Sequence, residues 1–240
     1  MQETFIREIA LLGEEGFARL ARARVAVFGV GGVGSYAAEA LARAGIGALD
    51  FVDGDAVAPS NGNRQLVALS STVGQNKAEV MAARAREINP AAAVRAFPCY
   101  FDAKTADAFD FSAYDYVADC IDSVEEKVLL LARARAAGAR AVSCMGAGNK
   151  FDPMAFRVAP LEKTRVCPLA RILRKKLREA GVAGVLAVYS EEEPRRPAAL
   201  GAAGEKFVGS LSFVPPAAGL LLAGHIILEL AGAAAPAGSV

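Results

Sequence analysis

The sequence predicts a doubly wound α/β fold, a mostly parallel sheet extended by antiparallel strands in the C-terminal half. Three observations carry that expectation. A strand-length apolar run at 25–30 opens onto glycines and a helix of small residues at 35–44. Segments of strand and helix length then alternate up to residue 144, and the pattern changes after Asp152-Pro153. With 240 residues, the chain has room for one substantial core and not for two full catalytic domains, so 1–240 reads as a single domain.

The second strand, 49–52, ends on Asp53 and completes a βαβ unit, whose crossover should be right-handed. A helix follows at 77–88, then strands at 93–97 and 114–118, the latter ending at Asp119. A helix at 124–137 and a strand at 139–144 continue the alternation. Beyond residue 152, strands at 155–158 and 185–189 flank a strongly basic helix at 169–180. At 191–209 the acidic run Glu191-Glu192-Glu193 meets Arg195, Arg196, prolines and glycines, which predicts a mobile crossing loop. The apolar stretch 216–234 carries His225 and Glu229 and is barely long enough to cross a bilayer. It predicts a buried helix, and membrane attachment is not expected.

Apolar residues make up 54% of the chain and the formal net charge is +1, so a disordered tail and a globally basic coat are both excluded. Any affinity for nucleic acid must come from a local patch. Cys99, Cys120, Cys144 and Cys167 form no C-x-x-C pair, against a zinc ribbon and a disulfide framework. A reducing, cytoplasmic setting is expected. The first ten residues lack the basic start and apolar stretch of a secretory signal.

Glycines after a buried strand let the backbone approach a phosphate, and the next helix offers its free N–H groups and positive dipole end. The run Gly29-Val30-Gly31-Gly32-Val33-Gly34 fits this Rossmann-like arrangement with one glycine to spare. Asp53 stands where an acid accepts ribose hydroxyls. Residues 1–150 thus read as a nucleotide-binding half and 151–240 as a substrate-binding half.

The next segment favours ATP over NAD. Asp53-Gly54-Asp55 is followed by Asn61, Asn63, Arg64, Gln65, Gly74 and Lys77, more polar and cationic groups than hydride transfer needs. An arginine fork and a lysine ammonium can hold β and γ phosphates and offset charge on departing pyrophosphate. Asp122, just past a strand end, is suited to Mg²⁺. The bland alternatives are a surface ion pair for Arg64 and a helix cap for Asp122. Lys77 begins a helix, where the dipole disfavours a cation, so an anionic ligand explains it better than stability does.

At these residues the chain resembles the ubiquitin-activating-enzyme-like superfamily, which includes adenylyltransferases of molybdopterin and thiamine synthesis. The match runs through Gly29 to Gly34, Asp53-Gly54-Asp55, Ser60-Asn61-Gly62-Asn63-Arg64-Gln65, Gly74 to Lys77, Ile88-Asn89-Pro90 and Ala118-Asp119-Cys120-Ile121-Asp122. The resemblance implies that Asp53, Asn61, Arg64, Lys77 and Asp122 bind ATP and Mg²⁺. It also implies that Arg7 reaches the ATP of a partner subunit, hence a homodimer. In the second half, residues 143–153, Lys163-Thr164-Arg165-Val166-Cys167-Pro168-Leu169-Ala170 and Val188-Tyr189-Ser190 resemble the tRNA threonylcarbamoyladenosine dehydratases. That implies ATP-dependent activation of a threonyl carboxylate on tRNA, followed by cyclisation. It adds a cysteine-desulfurase sulfur-transfer system as a candidate partner.

The basic helix places Arg171, Arg174, Lys175 and Arg178 on one face, with Leu169, Ile172, Leu173 and Leu177 opposite. Such a stripe can track tRNA phosphates, although most charge runs are merely solvated. Cys167 precedes Pro168 at a helix start between Arg165 and Arg171, conditions that favour a thiolate able to carry a thioester. The alternative is an ordinary cap. Two rival functions share the ATP residues: an adenylyltransferase for a ubiquitin-like sulfur carrier, and a non-catalytic nucleotide- or RNA-binding module.

Overall fold

The computed structural model describes residues 3–197 and 208–233. At its centre is strand β1 (Arg24–Phe28), whose side chains alternate between two apolar layers. Val25 and Val27 face one core, Ala26 and Phe28 the other. Around β1 a seven-stranded sheet is ordered β3-β2-β1-β4-β5-β7-β6, with β2 at Ala48–Val52, β3 at Ala93–Phe97, β4 at Tyr116–Asp119, β5 at Arg140–Cys144, β6 at Phe156–Pro160 and β7 at Leu186–Ser190.

The two added strands differ in direction. The chain leaves the C-terminal end of β5 and enters β6 at the same sheet edge, so β6 runs back, antiparallel to β7. It reaches the opposite edge at Pro160, paired with Leu186, and β7 then ascends parallel to β5. The extension expected after residue 152 therefore contains one antiparallel strand.

Helices cover both faces. The first layer holds α1 (Ile6–Arg22), α2 (Gly34–Arg43), α3 (Lys77–Ile88) and α6 (Val214–Ala231), joined in one core through Leu20, Ala37, Met81 and Leu222. On the other face lie α4 (Val124–Ala136) and α5 (Pro168–Glu179), contributing Leu130, Leu131, Leu173 and Leu177. Phe28 anchors that side by packing on Phe101, Phe109 and Phe111, with ring centroids 5.1, 5.3 and 5.9 Å away. Asp50 of β2 is wholly buried and matched by Arg95 at 2.5 Å and Arg24 at 3.5 Å.

The sequence reading assigned no element to the N-terminus, where α1 forms with a break at Gly13 (φ 72°, ψ 165°). Helix α6 is long and apolar enough to cross a membrane by length and composition, but more than half of it is buried against the core. Its first turn holds Pro215 and Pro216, and Gly232 in the left-handed conformation ends it. The crossing expected to be mobile at 191–209 is anchored at its described ends. The Glu192 carboxylate accepts N–H groups of Phe151 and Asp152, both at 2.9 Å. Gly209 and Asn149 exchange two hydrogen bonds, of 2.6 and 2.7 Å. Residues 198–207 lie outside the described residues.

The turn from β1 into α2 leaves no space for side chains at two positions. A Cβ on Gly34 would stand 1.8 Å from the Gly29 carbonyl oxygen, and one on Gly29 (φ +86°) would stand 2.7 Å from the Cys120 oxygen. At Gly31 the nearest atom to an added Cβ is Gln65 Nε2, at 3.8 Å. Gly34→Ala should therefore cost about 3 kcal/mol or more, whereas Gly31→Ala should change stability by no more than about 0.5 kcal/mol. Urea unfolding of the two variants checks the contrast.

Candidate active site

Strand order reverses at β1, with β2 and β3 on one side and β4 and β5 on the other. Open α/β sheets bind ligands at the strand C-termini at such a point. Here it carries the glycine turn. Asp53, one residue past β2, closes the turn by accepting the Val30 N–H at 2.6 Å and the Asp55 N–H at 2.9 Å. Burial pushes the Asp53 carboxyl above its ordinary range, and these two N–H groups offset only part of the rise. Among the described residues the N–H groups of Gly31 and Gly32 find no partner, which leaves them available to an anion.

The loop 59–66 lies against this turn. Ser35 is buried in the first turn of α2, and its hydroxyl accepts the Leu66 N–H at 3.1 Å. Asn61 stabilises the Pro59–Asn61 turn by accepting the Ala58 N–H at 3.0 Å. Asn63 reaches across to the Ser210 carbonyl at 2.9 Å. Arg64 is thereby laid over Gly32, its Cγ 3.4 Å from where a Cβ would stand. Its guanidinium donates to the Ser60 carbonyl and to Asn63 Oδ1, both at 3.0 Å, and has no carboxylate partner among the described residues. The surface ion-pair alternative for Arg64 is thus set aside. Gln65 is buried beside Gly31, and its Oε1 has no hydrogen-bond partner.

Lys77, for which an anionic ligand is the better expected explanation, also has an internal partner. Its ammonium, buried at the start of α3, lies 2.7 Å from Asp55 Oδ2. The other oxygen of Asp55 accepts the Tyr100 hydroxyl at 2.5 Å. Lys77 first, then Tyr100, holds the Asp55 carboxyl below its usual range. Asp55 is therefore a partner of Lys77 and Tyr100, and the helix cap is Asn76, whose Oδ1 accepts the Ala78 and Glu79 N–H groups at 2.9 and 3.2 Å.

Asp122 is exposed beyond β4, next to the Cys120 carbonyl that backs Gly29. The helix cap position belongs to Ser123, and Asp122 accepts no hydrogen bond among the described residues. These contacts link Gly29–Gly34, Asp53, Arg64 and Gln65 around the turn, with Lys77 tied to Asp55 beside Asp53, and Asp122 lies two residues beyond Cys120, whose carbonyl backs Gly29. Together they offer free N–H groups, a guanidinium, an ammonium and a carboxylate, a set suited to a polyphosphate with its counter-ion. Arg7 is not part of this set and sits exposed on the first turn of α1.

In the second half, Arg171, Lys175 and Arg178 are exposed on α5. Arg174 is not free: it donates to the carbonyls of Thr164 at 2.9 Å and Leu161 at 3.2 Å. Ile172, expected on the apolar face, is 44% exposed. Cys167 does occupy the N-cap of α5, following Val166 at φ 65°. Its thiol, however, is buried in the layer with Met145, Leu161 and Tyr189. The sulfur is therefore not exposed as a thioester carrier would need to be, and it makes no side-chain cap hydrogen bond.

Sequence reasoning missed Ser35, Asn76 and Tyr100. Asn76 had a readable signal, a capping residue one position before a helix. The other two act on residues 31 and 45 positions away.

Comparison with known proteins bears on the whole chain. The ThiF family model matches residues 5–238. The tRNA threonylcarbamoyladenosine dehydratase of Bacillus subtilis (strain 168) is 40% identical over 245 residues, covering 96% of this chain and 95% of that protein. The dehydratase of Escherichia coli (strain K12) is 42% identical over 190 residues, or 76% and 71% of the two chains. The crystal structure of the E. coli tRNA N6-threonylcarbamoyladenosine dehydratase, TcdA, in complex with ATP superposes with a TM-score of 0.88. Its identity is 36%, over 96% of this chain and 95% of that one. The chain belongs to the ThiF family.

Proposed function

We propose that this chain is an ATP-dependent dehydratase that adenylates the threonyl carboxylate of tRNA N6-threonylcarbamoyladenosine and cyclises it, releasing AMP and pyrophosphate. The observation that carries the reading is the Arg64 guanidinium over the glycine turn, without a carboxylate partner among the described residues and hydrogen-bonded through only one of its nitrogens, in a chain related to such dehydratases along nearly its whole length.

The free N–H groups of Gly31 and Gly32 receive phosphate oxygens, and Asp53, already fixed to the turn, accepts ribose hydroxyls with its remaining lone pairs. A carboxylate oxygen of the threonyl group attacks the α-phosphorus and pyrophosphate leaves, its charge offset by Arg64 and Lys77. A nucleophilic atom of the same modified side chain then closes the ring onto the acyl carbon, and AMP departs with the carboxylate oxygen. This second step is intramolecular, so proximity supplies much of its rate and no protein nucleophile is needed. The burial of Cys167 is in keeping with that direct route.

Asp122 fits Mg²⁺, which keeps several waters and takes one or two carboxylates with phosphate oxygens. Its carboxylate is uncommitted, and among the described residues no group of three or more His, Cys, Asp or Glu side chains forms a dedicated cage. Mg²⁺ held there would supply further neutralisation of the phosphates.

The proposal extends to a homodimer in which Arg7 serves the neighbouring site, to tRNA phosphates tracked by Arg171, Lys175 and Arg178, and to a cytoplasmic setting in keeping with four free cysteines. A sulfur-transfer partner rests on the family resemblance alone.

Incubation with ATP and tRNA bearing threonylcarbamoyladenosine should yield AMP and pyrophosphate, and a protein ending in Gly-Gly should not replace the tRNA. ADP with phosphate as products, or no turnover with that tRNA, would overturn the reading. Removing the Arg64 guanidinium should slow turnover by about 10²–10³-fold.

Arg7→Ala and Arg64→Ala subunits, each inactive, should recover part of the activity when mixed under confirmed subunit exchange. Absence of recovery counts against a shared site.

The triple substitution of Arg171, Lys175 and Arg178 by Ala should weaken tRNA binding and lower its salt dependence, by about one unit of slope for each phosphate no longer neutralised. Arg174→Ala should instead lower the unfolding midpoint, since its guanidinium serves backbone carbonyls.

A further inference from the structure

A lysine with no exposed surface lies beneath the active-site edge of the sheet. Lys127, on the first turns of α4, is completely buried, and each of its three ammonium protons has a taker. They are Asp119 Oδ2 at 3.0 Å, Ser143 Oγ at 3.2 Å and the Cys144 carbonyl at 2.8 Å. Ser143 donates its own hydroxyl to Asp119 Oδ2 at 2.6 Å. The second oxygen of Asp119 accepts the Ile121 N–H at 3.2 Å. Lys127, Asp119 and Ser143 are all fully buried.

A buried ion pair is a poor stabilising device. Desolvation cancels most of its attraction, and an apolar pair of similar volume does as well or better. What this one does is geometric. It fastens α4 to the C-terminal ends of β4 and β5, neighbours in the sheet with Asp119 opposite Ser143. Through Ile121 it also shapes the turn that leads from Asp119 to Asp122. The same turn backs the glycine run, since Cys120 donates its N–H to the Phe28 carbonyl at 2.8 Å and its carbonyl fills the space beside Gly29.

We infer that Lys127 is a positioning residue, holding the Asp119–Ser143 pair so that the 119–122 turn presents the Asp122 carboxylate to the Mg²⁺-bound phosphates of ATP. The inference rests on the proposed role of Asp122 and adds the residues that aim it. Partners behind a metal ligand commonly govern metal affinity by about 10–100-fold.

Lys127→Met alone would leave the Asp119 charge buried and unmatched, so the test uses Asp119→Asn with Lys127→Met. That pair removes both charges and keeps an acceptor for the Ile121 N–H. Ser143→Ala, which leaves the ion pair intact, is the milder second variant, and Asp122→Asn is the comparator. Calorimetry of the full-length protein would measure ATP affinity over a Mg²⁺ titration, alongside AMP affinity without metal. Amide exchange over 119–123 would be followed without nucleotide. In the paired variant the Mg²⁺ needed for half-maximal ATP binding should rise at least tenfold, within the range such partners govern. AMP affinity should hold and exchange over 119–123 should quicken, with a smaller shift in Ser143→Ala. An unchanged Mg²⁺ requirement in the paired variant overturns the inference, as does the same result in Ser143→Ala if the pair fails to fold. If Asp122→Asn raises the requirement while the others do not, only the role of Lys127 falls. If Asp122→Asn also leaves it unchanged, the assignment of Asp122 itself has failed.

Discussion

The contact on which the rest of the molecule depends is the one between the start of α2 and the end of β1, where no side chain fits. Gly34 meets the Gly29 carbonyl at a distance only hydrogen can occupy, and Gly29 is backed by the Cys120 carbonyl. The Gly29 N–H bonds the last carbonyl of β2 at 2.8 Å. Helix α6 approaches as closely, since a Cβ on Gly219 would stand 2.2 Å from the Val33 oxygen, and Pro215 lies against Gly32. Strands β1, β2 and β4 and helices α2 and α6 are thus located relative to one another by a single turn. The same absence of side chains leaves the Gly31 and Gly32 N–H groups open to a ligand.

Around that turn, the charged groups divide into those with internal partners and those without. Lys77, Lys127 and Arg174 lie wholly or partly out of solvent, and each has a carboxylate or backbone carbonyls to satisfy it, as the cost of an unpaired buried charge requires. Arg64 is matched only in part, with one nitrogen on the Ser60 carbonyl and Asn63 Oδ1, and neither it nor Asp122 has an ion-pair partner among the described residues. Stabilising charge that develops during a reaction needs both kinds: fixed groups to keep the frame from reorganising, and uncommitted groups aimed at the ligand. The pairing of Lys77 with Asp55 does not remove it from the second role. Asp55 stays partly exposed, and an ammonium can share its protons between a carboxylate and a phosphate.

Much of this was legible in the sequence, because strand and helix periodicities and the glycine spacing are local signals. The helix at 77–88 and the strand at 93–97 formed where periodicity placed them. Helix α1 escaped because Gly13 breaks its pattern and its burial depends on α6, more than 190 residues away. Spacing put Arg174 on the same face as Arg171 and Arg178, but could not say that the carbonyls of Leu161 and Thr164 lie over that one position. Cys167 shows the same limit. Its place at a helix start is local and was readable, whereas its burial comes from Met145, Leu161 and Tyr189, on three other segments. The partners of Lys77 and Lys127 are likewise fixed by strand order.

The loops beside the site are joined to one another by different means from those that build the turn. Asn63 to Ser210, and Asn149 to Gly209, are hydrogen bonds between loops, as is the hold of Glu192 on Phe151 and Asp152. Val208 and Phe213 beside them remain exposed. Such ties fix register with little apolar burial, so they can be rearranged at far lower cost than the packing around Gly34. The separation suits a reaction in two parts. Adenylation needs phosphates held in one geometry and sits where the backbone has no freedom. In the proposed reaction, the carboxylate borne on tRNA would meet these polar loop ties, while α6 and β7 of the C-terminal half stay packed into the sheet and core that hold the turn.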